Sequence, residues 1–142
     1  MNELEEQILD EYIRHCRVEA ESYRMMGKML NEELVRSRLA LCSISDVYIY
    51  GGTYLAAQLC RAVKDNANIK GIVDKGSRSV VEVNVPVITC EELEKIYINE
   101  KIIITPPIFY REIKADLLRF VQEDNILFLG EFLEGFFHKG RV

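Results

Sequence analysis

From residue 46 onward, short runs rich in β-branched residues alternate with stretches of helical periodicity, and this alternation confines the chain to βαβ units built around a parallel sheet. The runs are Val47–Tyr50, Ile69–Val73, Val80–Ile88, Lys101–Thr105 and Ile126–Leu129. Between the first two, Tyr54, Leu55, Leu59, Ala62 and Val63 predict a helix to about Asp65, ended by Asn66-Ala67-Asn68. Asp74-Lys75-Gly76-Ser77 reads as a turn, and Pro86 marks an edge or an interruption in its strand. Thr89-Cys90-Glu91-Glu92 is a capping box that starts a short helix running to about Ile98. Pro106-Pro107 ends the fourth strand and opens a helix from about Ile108 to Glu123.

The first 45 residues are of another kind. They lack proline, and Leu4, Ile8, Tyr12, Cys16, Ala20, Tyr23, Met26, Leu30 and Leu34 recur every three or four positions, the mark of an amphipathic helical arm. A straight helix of that length would far outreach the body formed by residues 46–142, so the arm must break or find a partner. Gly27 is the expected break, because glycine costs about 1 kcal/mol relative to alanine inside a helix. A hairpin packed on the body and a dimer formed through the arms are both open.

The 142 residues fit one such body, with no room for a second catalytic domain. The net charge of −5 and the absence of a basic cluster argue against nucleic acid as a partner. Cys16, Cys42, Cys60 and Cys90 form no Cys-x-x-Cys pair, and only His15 and His138 could complete a ligand set, so no metal site is expected. The start of the chain is acidic and polar, no apolar run approaches the ~20 residues of a membrane span, and unpaired thiols suit a reducing compartment, so the expected location is the cytoplasm. No Ser/His/Asp or Cys/His set can be assembled. Tyr110 and Lys114 have the Tyr-x-x-x-Lys spacing of a proton-transfer pair, but Tyr97 and Lys101 have it too, and we reject it as coincidental. His15 and His138 read as helix and tail residues, and Phe128, Phe132, Phe136 and Phe137 as core or interface.

Chemistry concentrates at the first strand-to-helix junction, Tyr50-Gly51-Gly52-Thr53-Tyr54-Leu55-Ala56. In the G-x-G-x-x-G/A fingerprint of dinucleotide sites, the first glycine makes the turn, the second admits a pyrophosphate and the third position packs the helix. These places fall on Gly51, Thr53 and Ala56, so the second carries a Cβ. Thr53 is either a helix cap or a hydroxyl donor to phosphate. Asp74 lies 23 residues after Gly51, where a carboxylate accepts hydrogen bonds from ribose hydroxyls, although an aspartate that only initiates a turn would look the same. Thr105, at the end of the fourth strand, borders the expected crevice, either as a helix-entry residue or as a ligand contact.

The order Ile49-Tyr50-Gly51-Gly52, Gly71-Ile72-Val73-Asp74, Val85-Pro86-Val87-Ile88, Ile102-Ile103-Ile104-Thr105 and Ile113-Lys114-Ala115-Asp116-Leu117 resembles the small Rossmann-like NAD(P)-binding domains of bacterial polysaccharide and nucleotide-sugar proteins, of the type that precedes sugar dehydratases and sugar acyltransferases. The resemblance covers about two-thirds of the chain. It implies a nucleotide lying over Gly51, Gly52, Asp74, Thr105 and Pro106. The expected fold is an α/β three-layer sandwich whose parallel sheet of about five strands has the order 3-2-1-4-5, preceded by the arm. The expected function is binding of NAD, with NADP or a UDP-sugar as other candidates. Gly51, Gly52 and the amides of Thr53 and Tyr54 would hold phosphate and Asp74 would hold ribose. No catalytic constellation is visible, so an enzymatic role stays open. The alternative is a degenerate Rossmann domain that dimerises or regulates through the arm, and a homo-oligomer is expected on either reading.

Overall fold

A computed structural model describes residues 2–51, 54–76 and 84–135. The arm forms α1 (Glu3–Met29) and α2 (Glu32–Leu41); the body follows as β1 (Asp46–Tyr50), α3 (Tyr54–Val63), β2 (Asn68–Val73), β3 (Val87–Ile88), α4 (Cys90–Ile96), β4 (Lys101–Ile104), α5 (Tyr110–Leu117), β5 (Ile126–Phe128) and α6 (Leu129–Glu134). All pairings are parallel, in the order β3-β2-β1-β4-β5. Helices cover both sheet faces, as in a Rossmann-like three-layer sandwich.

Being buried on both sides, the central strands have no polar face. Val47 and Ile49 of β1 join Ile72, Ile103 and Leu127 in a core closed by Leu59 of α3, Leu39 of α2, Phe132 of α6, and Met25 and Met29 of α1. Tyr48 and Tyr50 point the other way, with Val73, Ile102, Ile104 and Ile126 beneath Leu93 of α4 and Leu117 of α5. β3 is the sheet edge and is only two residues long; Pro86 just before it needs no ladder N–H there, and its carbonyl accepts from Ile72 N–H at 2.9 Å.

The arm departs from its expected form in two respects. Gly27 lies within α1, and the break falls at Leu30–Asn31, where the Asn31 side chain accepts from Leu34 N–H at 3.1 Å and so starts α2. The face of α1 that meets the body carries Met25 and Met29, not Met26 and Leu30 of the expected stripe, which are exposed. Ion pairs from Arg24 and Lys28 to Glu134 fasten this half of α1 to α6. Residues 2–17 are exposed without exception.

Three helices are shorter than predicted, α3 ending at Val63, α4 at Ile96 and α5 spanning only Tyr110–Leu117. Beyond α5 the chain turns through Leu118–Phe120 and a 3₁₀ turn at Glu123–Asn125 to enter β5, so the connection takes residues the periodicity had assigned to helix. The predicted strand at Val80–Ile88 is β3 at its far end; Val80 to Val83 lie outside the described residues. Among the described residues no helix is long and apolar enough to cross a membrane.

Candidate functional site

The connection from β1 leads by α3 to β2 on one side, while β4 lies on the other, so the carboxyl end of β1 is the switch point of the sheet, where α/β folds open a crevice. Gly51 sits there with φ +111°, a conformation that L side chains rarely adopt. Its N–H donates to Val73 O at 2.7 Å, tying the end of β1 to β2. On the other side a Cβ at Gly51 would stand 2.5 Å from Thr105 Oγ1 and 3.0 Å from Pro106 Cδ. The missing side chain therefore makes room for the β4 loop. Thr105 is fully buried, and its N–H and hydroxyl both donate to Tyr50 O, at 3.0 and 2.9 Å. Strands β1, β2 and β4 thus end at one level, joined through backbone groups and one threonine.

Two clefts open over this junction and share Gly51, Asp74, Pro106 and Phe109. The smaller, about 380 Å³, lies towards α5 and adds Tyr50, Lys75, Glu112, Ile113 and Asp116. The larger, about 670 Å³, lies between α1 and the β4–α5 loop and is walled by Glu19, Ser22, Tyr23, Met26, Tyr54 and Ile108. Both volumes fall in the range of small-molecule sites.

Asp74 follows β2, its N–H donating to Ile88 O at 2.9 Å and its Oδ2 accepting from Gly76 N–H at 3.1 Å. The carboxylate organises the turn, as the plainer reading expected, and also lines both clefts. Glu112 and Asp116, one turn apart on α5, add two carboxylates that the sequence reading did not single out as site residues; their i, i+4 spacing after the β4 loop was the available signal. Burial pushes the Tyr50 phenol up to about 12, with Cys90, Asp116, Asp74 and Glu91 adding to the effect, so it stays protonated and can act as a donor. The small cleft is thus suited to hydroxyl and amino groups beside an apolar surface of Pro106, Phe109 and Ile113. Its carboxylates disfavour phosphate, which is better placed towards Gly51 and the start of α3. Gly52 and Thr53 lie outside the described residues, as do Phe136, Phe137 and His138.

Among the described residues no nucleophile emerges elsewhere. Burial raises the Cys42 thiol to about 11 and the Cys60 thiol to about 12, so both remain protonated. Burial also raises Tyr110, with Lys114 only partly offsetting it, which is the reverse of an activated phenol. Lys114 instead pairs with Glu123 at 3.1 Å, and the Tyr110 ring packs on Phe128 at 4.9 Å between centroids. His15 is exposed, 3.0 Å from Glu19 on the same helix. Among the described residues no three His, Cys, Asp or Glu side chains come together as a metal-ligand set.

The chain matches no family model, no curated protein and no solved structure. Topology and site geometry are what it offers: a generic Rossmann-like fold with a two-part crevice at the switch point.

Proposed function

We propose that the protein binds a nucleotide across this crevice, NAD(H) before NADP or a UDP-sugar, and serves bacterial sugar or polysaccharide metabolism as its likeness to nucleotide-sugar domains implies. The observation that carries the reading is the meeting of Gly51 and Asp74 in one crevice at the switch point. On this reading Asp74 takes the ribose hydroxyls, the nucleoside lies against Pro106, Phe109 and Ile113, and phosphate lies over Gly51, Gly52 and the Thr53 and Tyr54 amides at the start of α3. Thr105 and Pro106 act by shaping the floor, since the Thr105 hydroxyl proton is committed to Tyr50 O. The carboxylate at Asp74 favours a ribose over a 2′-phosphate, although Lys75 stands beside it. The protein acts as a holder of the nucleotide, in the cytoplasm, and any reacting groups come from a partner.

Titration calorimetry with NAD⁺, NADH, NADP⁺ and UDP-sugars tests this. Asp74→Asn keeps an acceptor for Gly76 N–H while removing the charge, and weakens NADH binding about 10-fold or more, the size of a hydrogen bond to a charged group. A wild-type protein that binds none of these ligands at millimolar concentration, while melting cooperatively, refutes the proposal. A second reading, an interaction module, is favoured by one observation: α1 leaves Leu4, Ile8, Tyr12 and Tyr23 exposed.

A further inference from the structure

The fold buries the Tyr50 phenol without giving it a partner. The residue is 7% exposed and packs on the α5 side of the sheet, yet among the described residues its hydroxyl makes no hydrogen bond. Among those residues no side-chain oxygen or nitrogen is both sealed from solvent and unpartnered, so this hydroxyl keeps an opening onto the smaller cleft, which Tyr50 lines. A buried hydroxyl left unpaired is costly, and a ligand atom that pairs with it recovers that cost.

Charge fixes what else the ligand must offer. Asp74, Glu112 and Asp116 line this cleft against a single ammonium, that of Lys75. Among the described residues the carboxylates of Glu112 and Asp116 have no hydrogen bond or ion pair, and the acidic groups do not converge as a metal-ligand set. They therefore suit hydrogen-bond donors spread along a ligand. After burial and Cys90, the next influences on the Tyr50 phenol are Asp116 and Asp74, which places an acceptor near the hydroxyl. Burial keeps the phenol protonated, so it donates. Pro106, Phe109 and Ile113 supply an apolar wall for a flat ring.

An acceptor beside a donor matches a heterocycle that carries an amino group next to a ring nitrogen. Adenine has such an edge. Uracil, with a carbonyl on each side of its N–H, would set an oxygen against Asp116. Resting on the nucleotide reading, we propose that the smaller cleft selects the base: the adenine amino group donates to Asp116, and the Tyr50 hydroxyl donates to the ring nitrogen beside it, with the ribose at Asp74.

Nicotinamide hypoxanthine dinucleotide is the probe, because it differs from NAD only in the base, where a carbonyl oxygen replaces the amino group. Calorimetry on the full chain with both reduced forms should show NADH binding about 10-fold or more tightly, the size of a hydrogen bond to a charged group. Asp116→Asn should bring the two within about 3-fold, because an amide offers either an acceptor or a donor. Tyr50→Phe should weaken both about 5-fold and leave their ratio, since a hydroxyl serves either base. Without ligand, Tyr50→Phe should melt no lower than wild type, because the hydroxyl has no partner to lose. Absence of NADH binding at millimolar concentration overturns the nucleotide reading and this inference together. NADH binding that the hypoxanthine analogue equals, that keeps its preference in Asp116→Asn, or that ignores Tyr50→Phe overturns only the choice of base, as does a lower melting temperature of Tyr50→Phe.

Discussion

Replacing Gly51 by alanine probes the junction on which the crevice rests. Its backbone lies at φ +111°, where a non-glycine residue costs of order 1–3 kcal/mol. The new Cβ would also stand 2.5 Å from Thr105 Oγ1 and 3.0 Å from Pro106 Cδ, and neither neighbour is the loose end of a flexible side chain. Thr105 is fully buried, and moving it breaks its 2.9 Å hydrogen bond to Tyr50 O, worth about 1 kcal/mol. Together these terms give a loss of about 3–4 kcal/mol, or a fall in Tm of about 10 °C for a domain of this size. Thr105→Ala by itself should cost about 2 kcal/mol, since Tyr50 O keeps the Thr105 N–H as a donor. Combining the two substitutions removes the closest contact, so the double variant should be less destabilised than the sum by about 1–2 kcal/mol. Urea and thermal unfolding of the four proteins supply the measurement. A Gly51→Ala protein melting within 2–3 °C of wild type, or strict additivity in the cycle, refutes the close approach of β1 and the β4 loop.

Two further perturbations have opposite signs. Burial would raise the carboxyl of Glu100, but the Lys70 ammonium at 2.8 Å and the N–H groups of Ile98, Asn99 and Glu100 itself outweigh it and hold the pKa at about 2 against an ordinary 4.5. Because the folded value lies below the unfolded one, the contribution, about 2–3 kcal/mol, is complete above pH ~4.5 and is lost as pH falls towards ~2. Glu100→Gln should therefore melt lower at neutral pH and converge with wild type in acid; parallel melting curves across that window would count against the assignment. Gly27→Ala should raise stability by about 0.5–1 kcal/mol, because the position is inside α1 and a Cβ there meets nothing within 4 Å. A lower Tm would show that the helix needs glycine at that point.

The sheet was legible because its signals are local. Each strand is a short run buried on both faces, and the order 3-2-1-4-5 follows from chain connectivity and the right-handed crossover. Helix ends were less so. Nothing in the periodicity of Ile108–Glu123 says that the chain must stop being helical at Leu117 to bring Ile126 beside Ile102. In the arm, the break follows a competition between Gly27, whose helical cost is modest, and Asn31, whose side chain captures a backbone amide and begins a new helix. The stripe read from the sequence was the exposed face of α1, because Met25 and Met29 are chosen by tertiary partners on α2, α3, α6 and the sheet. At the site, Gly51 and Asp74 could be found from spacing, since both lie beside strand ends. Glu112, Asp116 and Phe109 belong to the crevice only through the way α5 lies over β1 and β4, a tertiary fact with a faint local trace.

The ion pairs that join Arg24 and Lys28 to Glu134 link parts of the chain 110 and 106 residues apart. On a ribosome adding 5–20 residues per second, α1 emerges roughly 5–20 s before the helix it docks against. Throughout that interval the core that Met25 and Met29 enter lacks Phe132 and Leu133, and the arm presents apolar surface to whatever is nearby.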